Sequence, residues 1–571
     1  MRLTALTIKN FKGIDERGVR IEFAPITLLF GPNNAGKSTV IQALHLARET
    51  FCHPEPDLEY TEPSGKGLDL GSFKDYVHRH DLSRTVSIDL EIQTDGLPLI
   101  GDSLELQQWE GWKEIEPLLA SVESVYVEMF IHWNTTLERA ELVQCGISVN
   151  GKRLTVIKLD SRTLTASFNP LNISPFLSKE AKTFLTGEKL ERLWKRIDSH
   201  PDDYGNEFLD YRDAVLEKIP SLMQPFADLD AVTKEISTID LPINEGRTPI
   251  VFSLGKAPIL NWDSPLPLEY ADIDPDYDPE SVSVDACMNC LTLLSSLLLG
   301  PCSLVRTFLN TVLYIGPLRA IPDRGQHRPQ KPTFRRWAEG LAAWDILATA
   351  TDDQLKMINR GLNTPDFLTT GYSIVRKKML PLDAYGPLAL ALRQSLLEDF
   401  DESALPLLRE FLAQSPEIRI ALRNDSTGVE VEPHDMGVGI SQVIPIVVAA
   451  ALSKQGAAIA IEQPELHIHP AWQTALGDIF IQAIAKENSP IFLLETHSEH
   501  LLLRLLRRIR NTHKGASAES TRLAHTDIAV HWIGTYEGRT EIYRLGLDED
   551  GSFNTPWPEG FFDERGEELF G

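Results

Sequence analysis

The chain of 571 residues contains no uninterrupted apolar run of membrane-spanning length, which excludes a bundle of transmembrane helices from the expected folds. Its opening, Met1-Arg-Leu-Thr, has no charged and apolar leader pattern, so a cytoplasmic protein is expected. Cysteine is scarce: Cys52, Cys145, Cys287, Cys290 and Cys302 are odd in number and scattered, which argues against a disulfide framework and fits a reducing compartment. Cys287-Met-Asn-Cys290 has no second pair to complete a zinc site and sits in an apolar run, so a buried helix is expected there. Positive charge is also in deficit, with 55 Lys and Arg against 82 Asp and Glu and a formal net charge of −27. That balance excludes a surface coated for non-specific nucleic-acid binding.

Two local basic segments remain. Arg319, Arg324, Arg328, Lys331, Arg335 and Arg336 form one; Arg504, Arg507, Arg508, Arg510 and Lys514 form the other. Either could line a nucleic-acid groove, form a solvated face or make an intersubunit contact. The length exceeds what one core usually serves, so two or three domains, or one large domain with insertions, are expected.

What is abundant is pattern around one loop. Gly31-Pro-Asn-Asn-Ala-Gly36-Lys37-Ser38-Thr39 follows the strand-like run Pro25-Ile-Thr-Leu-Leu-Phe30 and precedes the helix-like run Val40-Ile-Gln-Ala-Leu-His-Leu-Ala. This is the phosphate-binding loop in its required setting. Gly31 and Gly36 let the backbone wrap a phosphate, with Asn33, Asn34 and Ala35 supplying N–H groups between them; Lys37 reaches the β- and γ-phosphates, and Ser38, followed by Thr39, offers a hydroxyl to Mg2+. ATP and Mg2+ are the implied ligands.

Residues 3–23 alternate like a strand pair around Asn10-Phe-Lys-Gly13, and further alternating runs follow (Val86-Ser-Ile-Asp-Leu-Glu-Ile-Gln; Val125-Tyr-Val-Glu-Met-Phe-Ile-His). From Ser178 to Ser237 the pattern is helical and charged; residues 240–280 are rich in Pro and Asp and read as an exposed loop. An apolar helix near 284–310 then leads to the strand Val312-Leu-Tyr-Ile315 with its Gly-Pro turn, and helical signals return from Phe334 to Glu410. Asp548-Glu-Asp-Gly551 reads as a hairpin turn.

The second half of a nucleotide site lies far downstream. Ala457-Ala-Ile-Ala-Ile-Glu462-Gln463-Pro464-Glu465 is an apolar strand ending in acids, as a Walker B strand does when it delivers a carboxylate to Mg2+. It lies 462 − 37 = 425 residues beyond Lys37, so the intervening chain must be inserted between two halves of one domain. Before it, Asp435-Met-Gly437-Val-Gly439-Ile-Ser441-Gln442 opens a helix; after it, Ile491-Phe-Leu-Leu-Glu495-Thr-His497-Ser498 is a strand ending in a histidine.

The order of these features resembles the ABC-class ATPases of the SMC and RecF type, and among them the AAA-family ATPases related to the OLD proteins. Lys9-Asn-Phe-Lys12, Gly31 to Thr39, Gly437 to Gln442, Glu462-Gln-Pro-Glu-Leu-His-Ile-His-Pro470 and Glu495-Thr-His-Ser498 carry the resemblance. Tyr314-Ile-Gly-Pro-Leu-Arg319 and Trp557-Pro-Glu-Gly-Phe-Phe-Asp-Glu564 point to a poorly characterised subgroup. The implied fold is α/β, an ABC-type P-loop head formed by N- and C-terminal lobes with a mixed helical insertion. Its expected parts are residues 1–120 (N-lobe), 121–310 (insertion), 311–414 (a strand and helices completing the core) and 415–571 (C-lobe).

The resemblance further implies a head-to-head homodimer, or a higher homo-oligomer, enclosing ATP. Gly437, Gly439, Ser441 and Gln442 would touch the γ-phosphate of the other subunit, Glu462 would hold Mg2+ with Ser38, and His497 would be the switch histidine. Gln463 takes the place of the usual general base; glutamine cannot accept a proton but can orient water, which implies slow hydrolysis. Only 571 − 500 = 71 residues follow His500, too few for the Toprim nuclease of OLD relatives, so any cleavage is expected from a separate effector protein. The expected function is a nucleotide-gated switch similar to PtuA-type defence ATPases; a RecF-like clamp on nucleic acid and a scaffold with structural nucleotide are the alternatives.

Overall fold

The structure is a computed structural model and describes residues 1–53, 68–100, 119–160, 163–168, 250–253, 284–323, 329–364, 367–395, 404–453, 456–485 and 489–558, with Leu58 and Glu116. The expected charged helices at 178–237 and the Pro- and Asp-rich stretch at 240–280 lie outside the described residues, as do Arg324 and Arg328, except that a short strand occupies 250–253.

An antiparallel sheet holds β1 (Arg2–Lys9), β2 (Val19–Glu22), β4 (Val86–Gln93), β5 (Ser124–Asn134), β6 (Arg139–Val149), β7 (Lys152–Asp160), β8 (Thr163–Phe168) and β9 (Ile250–Ser253) in the order β2-β1-β4-β5-β6-β7-β8-β9. The boundary expected at residue 120 cuts through this sheet, because β5 pairs with β4 from Val86↔Ile131 to Gln93↔Ser124. The correction has a simple cause. β5 alternates buried and half-buried residues and needs a neighbour to satisfy its backbone, and the open edge of β4 supplies one.

A second sheet is the centre of the molecule. It holds β3 (Ile26–Phe30), β10 (Leu313–Ile315), β14 (Ala458–Glu462), β15 (Ile491–Glu495), β16 (Ile528–Tyr536) and β17 (Arg539–Leu545) in the order β10-β14-β15-β3-β16-β17. All its pairings are parallel except the β16–β17 hairpin. N-terminal β3 therefore lies between two strands from the far end of the sequence, so the N- and C-terminal lobes co-fold as one α/β head. Every residue of β3, β14 and β15 is buried, which is why these strands read as continuous apolar runs. Their side chains still alternate. Leu29, Ala458, Ala460 and Leu493 join the core shared with the antiparallel sheet, while Leu28, Ile459, Ile461, Phe492 and Leu494 join the core of the opposite face.

The helix α1 (Lys37–Cys52) fills the first core, and α2 (Val284–Leu309) packs against it, with Cys52 Sγ at 3.7 Å from the Arg306 carbonyl. On the other face lie α3 (Val438–Leu452), α4 (Pro470–Ile484) and α5 (Glu499–His513), the last presenting Leu501, Leu502, Leu505, Leu506 and Ile509 inward. Spacing of three and four residues makes that one stripe. A small third sheet of β11 (Tyr372–Met379), β12 (Glu417–Asn424) and β13 (Glu430–Val431) leads into α3. Among the described residues no helix is long and apolar enough to cross a membrane.

Candidate nucleotide site

The site forms where β3, β14 and β15 end side by side, at the carboxyl edge of a parallel sheet, the usual place for a ligand in such folds. Residues 31–36 make the turn from β3 into α1. Gly31 has φ 148°, and a Cβ there would collide with the carbonyl oxygen of Ile533 on β16; Gly36 has φ 101°. Both positions require glycine. Pro32, Asn33 and Asn34 are exposed at the rim, whereas Ala35 and Thr39 are buried beneath it. The β16–β17 hairpin covers the loop from the side: the Thr540 hydroxyl donates to the Ala35 carbonyl at 3.3 Å, and the Thr540 N–H donates to the Gly13 carbonyl at 2.8 Å.

Lys37 is buried, and its Nζ donates to the carbonyls of Gly31 (3.0 Å) and Pro32 (2.8 Å), which places the ammonium within the loop. Burial holds its pKa below the ordinary lysine value, with Glu495 and Glu465 opposing the shift. Ser38 Oγ donates to Glu495 Oε2 at 2.7 Å. Glu462, expected beside Ser38, is not its partner. The Glu462 carboxylate is pushed up to about 8, first by burial and then by Glu495, and its Oε1 has no hydrogen-bond partner among the described residues. Burial also raises Glu495 and Glu465, the former against the Ser38 hydrogen bond and Lys37.

Gln463 follows Glu462 with φ 43°, a left-handed conformation uncommon outside glycine, and its N–H donates to the Glu495 carbonyl at 2.8 Å. Glu465 accepts from the Thr496 hydroxyl and from the His497 N–H, each at 2.7 Å. Both of its oxygens are thus committed to positioning the His497 segment. The His497 imidazole is lowered by burial and by Lys37, so it is neutral at pH 7, and its buried Nε2 has no hydrogen-bond partner among the described residues.

Arg319 fastens the floor of the site. It is almost fully buried; Nη2 donates to the carbonyls of Glu462 (2.8 Å) and Gln463 (3.2 Å), and burial pushes it down to about 10. Its backbone exchanges two hydrogen bonds with the Gln442 side chain: Arg319 N–H to Oε1 at 3.2 Å, and Nε2 to the Arg319 carbonyl at 2.7 Å. The Gln442 amide, expected to touch the γ-phosphate of the other subunit, is here turned inward and bonded at both ends to the Arg319 backbone. Ser441 is buried too, its hydroxyl bonded to Val438, so only Gly437 to Gly439 at the start of α3 remain open to another molecule.

Four side chains of the basic segments are engaged within the fold, whereas Lys331 and Arg335 are exposed. Arg319 is internal, and Arg336 pairs with buried Asp345. Arg504 and Arg508 both bind buried Asp478 on α4, Arg508 through Nε at 2.7 Å. Arg507, Arg510 and Lys514 stay exposed. Asp548 to Gly551 forms the expected turn, closed by the Gly551 N–H to the Asp548 carbonyl at 2.9 Å.

Sequence reasoning located the loop, Glu462, Gln463 and His497 but missed Glu495 and Arg319 as parts of the site. An acid ending an apolar strand was a signal for the first; nothing local signals the second. The residues present fit a magnesium nucleotide: a glycine cradle at a helix N-terminus, a lysine and a hydroxyl within it, and carboxylates with an unpartnered buried oxygen beside them.

Residues 1–95 and 383–502 match the AAA ATPase domain family, a match in two pieces that together span less than half of the chain. Residues 523–570, which begin just before β16, match a family described as a protein of unknown function, DUF3696. No curated protein matches the chain. Among solved structures, an SMC head bound to the C-winged helix domain of ScpA is 9% identical with a TM-score of 0.37, over 96% of this chain and 99% of that one. An SMC head with an extended coiled coil, bound to the C-terminal domain of ScpA and derived from Pyrococcus furiosus, gives 11%, 0.37, 95% and 96%; the SMC head from Thermotoga maritima gives 9%, 0.32, 96% and 100%. These scores are low, and the head fold stands on the strand order and loop geometry above.

Proposed function

We propose that this AAA ATPase domain binds and slowly hydrolyses ATP as a nucleotide-gated switch, in the manner of ABC-class heads of the SMC and RecF type related to OLD proteins. One observation carries the reading. The Gly31–Thr39 loop, placed by a strand from one end of the chain, meets acids and a histidine placed by strands from the other end, with Ser38 in direct contact with Glu495.

The roles follow from chemistry. Main-chain N–H groups of residues 33–38 and the N-terminus of α1 hold the phosphates, and Lys37 neutralises them. Ser38 and the neighbouring carboxylates would hold Mg2+, which supplies Lewis-acid charge neutralisation when bound. Neutral His497 can accept or donate a hydrogen bond at the reacting end, with Glu465 fixing its segment. Gln463 orients water without taking its proton, so turnover is slow and the ATP state long-lived. Two heads would then associate through Gly437–Gly439, and the dimer would control a separate effector, with anti-phage defence as the setting. Direct clamping of nucleic acid has less support, because four of the basic side chains that suggested it are engaged within the fold.

Titration with ATP and single-turnover phosphate release on wild type and Lys37→Ala test the reading. Binding and slow release in wild type, both lost in the variant, are expected. Equal binding by the variant would end it.

A further inference from the structure

The two glycines that frame the phosphate loop both face the β16–β17 hairpin. β16 runs parallel to β3 with Trp532 in register with Phe30, so Ile533 comes level with Gly31, where a Cβ would strike its carbonyl oxygen. At the other end of the loop, a Cβ on Gly36 would lie 2.9 Å from Thr540 Oγ1, and one on Gly13 would strike the same oxygen. Thr540 is buried and held in place: its N–H donates to the Gly13 carbonyl at 2.8 Å, and the hairpin sets it opposite Thr535. Its hydroxyl donates to the Ala35 carbonyl at 3.3 Å. Both strands of the hairpin lie within residues 523–570, the stretch matched to a family of unknown function.

The hydrogen bond to Ala35 fixes a direction. A peptide unit is planar and trans, so its C=O and N–H point opposite ways. With the Ala35 oxygen held against the hairpin, the Gly36 N–H points away from it. Nothing in a glycine backbone enforces that choice, since glycine at φ 101° tolerates many orientations of the peptide before it. Turned round, the same peptide would present its carbonyl oxygen to an anion and repel it. We propose that Thr540 is a positioning residue for the phosphates, the one through which the hairpin keeps the Gly36 N–H turned into the loop as a donor. This rests on the ATP-binding reading above, and it gives the C-terminal hairpin a part in the nucleotide site.

The test measures affinity for ATP and for inorganic tripolyphosphate, both with Mg2+, and single-turnover phosphate release at saturating ATP, on wild type, Thr540→Val, Thr540→Ser and Gly13→Ala. Thr540→Val keeps the shape and removes the donor. It should bind both ligands ~3- to 10-fold more weakly, the usual worth of one hydrogen bond. Release from the saturated site should stay at the wild-type rate, because the reacting groups stand on β14 and β15. Thr540→Ser keeps the hydroxyl and should bind as wild type does. Gly13→Ala displaces that hydroxyl from outside and should reproduce the loss with threonine in place. Wild-type affinity in Thr540→Val, or in Gly13→Ala where the valine variant does not fold, would overturn the assignment. So would an equal loss in Thr540→Ser, or a fall in release together with binding, which marks a prop of the fold. A wild type that binds neither ligand would remove the ATP reading, and this one with it; a wild type that binds both keeps that reading whatever Thr540→Val does.

Discussion

In the proposed mechanism Gln463 orients the attacking water, and its backbone is held in a conformation that a glutamine adopts only under constraint, φ 43° with its N–H tied to the Glu495 carbonyl. Strained residues persist where the surroundings over-determine them, here Arg319 below and β15 beside. Replacing its amide with a carboxylate changes the chemistry without moving the backbone. Gln463→Glu is therefore expected to speed hydrolysis ~100-fold or more, the usual contribution of a placed general base, with little change in ATP affinity. Single-turnover phosphate release measures this. Unchanged release would place the proton acceptor elsewhere in the site.

At the scale of elements, β16 pairs with the loop strand β3 on the side away from β15 and carries a buried titratable group. His531 is fully enclosed, with Nε2 at 2.8 Å from the Glu22 carbonyl, and burial pushes its pKa down to about 4. The unfolded chain takes up a proton near the ordinary value of about 6.5, whereas the folded one does not until near 4. Stability from this residue is thus complete above pH 6.5 and is lost as pH falls toward 4. Between pH 7.5 and pH 5 the loss comes to about 2 kcal/mol. Denaturant unfolding of wild type and His531→Gln at both pH values should show a shallower fall in the variant; His45, which titrates in the same sense, is present in both. The strands themselves were legible because apolar runs such as Ile26–Phe30 and Ile491–Glu495 are bounded by proline on one side and by glycine or a polar residue on the other, and the loop because its chemistry is local. Pairings were not legible. Ser38 meets Glu495 across 457 positions, and Arg319 meets Gln442 across 123. Each of these side chains has an ordinary solvated alternative that the sequence does not exclude, and the inward turn of Arg319, Arg504 and Arg508 depends on acceptors supplied by distant strands and helices.

For the whole molecule, the proposed association of two heads must work against charge. Each copy carries a formal net charge of −27, so two copies repel at long range, and salt screens that repulsion. Contact between nucleic acid and a protein has the opposite salt dependence, because it gains from counterion release at low salt. The two readings therefore separate by sign. The patch proposed for a second head centres on Gly437, which has open space around it, and Val438, which is 53% exposed, beside exposed His434 and Asp435, while Ser441 and Gln442 are withdrawn. ATP-dependent dimerisation should strengthen as NaCl rises from about 50 to 200 mM, about two-fold in Debye screening. Val438→Glu should abolish it by adding a charge to that patch, without weakening ATP binding by the monomer, since Val438 lies outside the cradle formed by residues 31–39. Light scattering across the salt series, with a parallel ATP titration of the variant, reads both effects. Association that weakens with salt, or that survives Val438→Glu, would move the interface away from α3 and toward the exposed Arg507, Arg510 and Lys514 of α5.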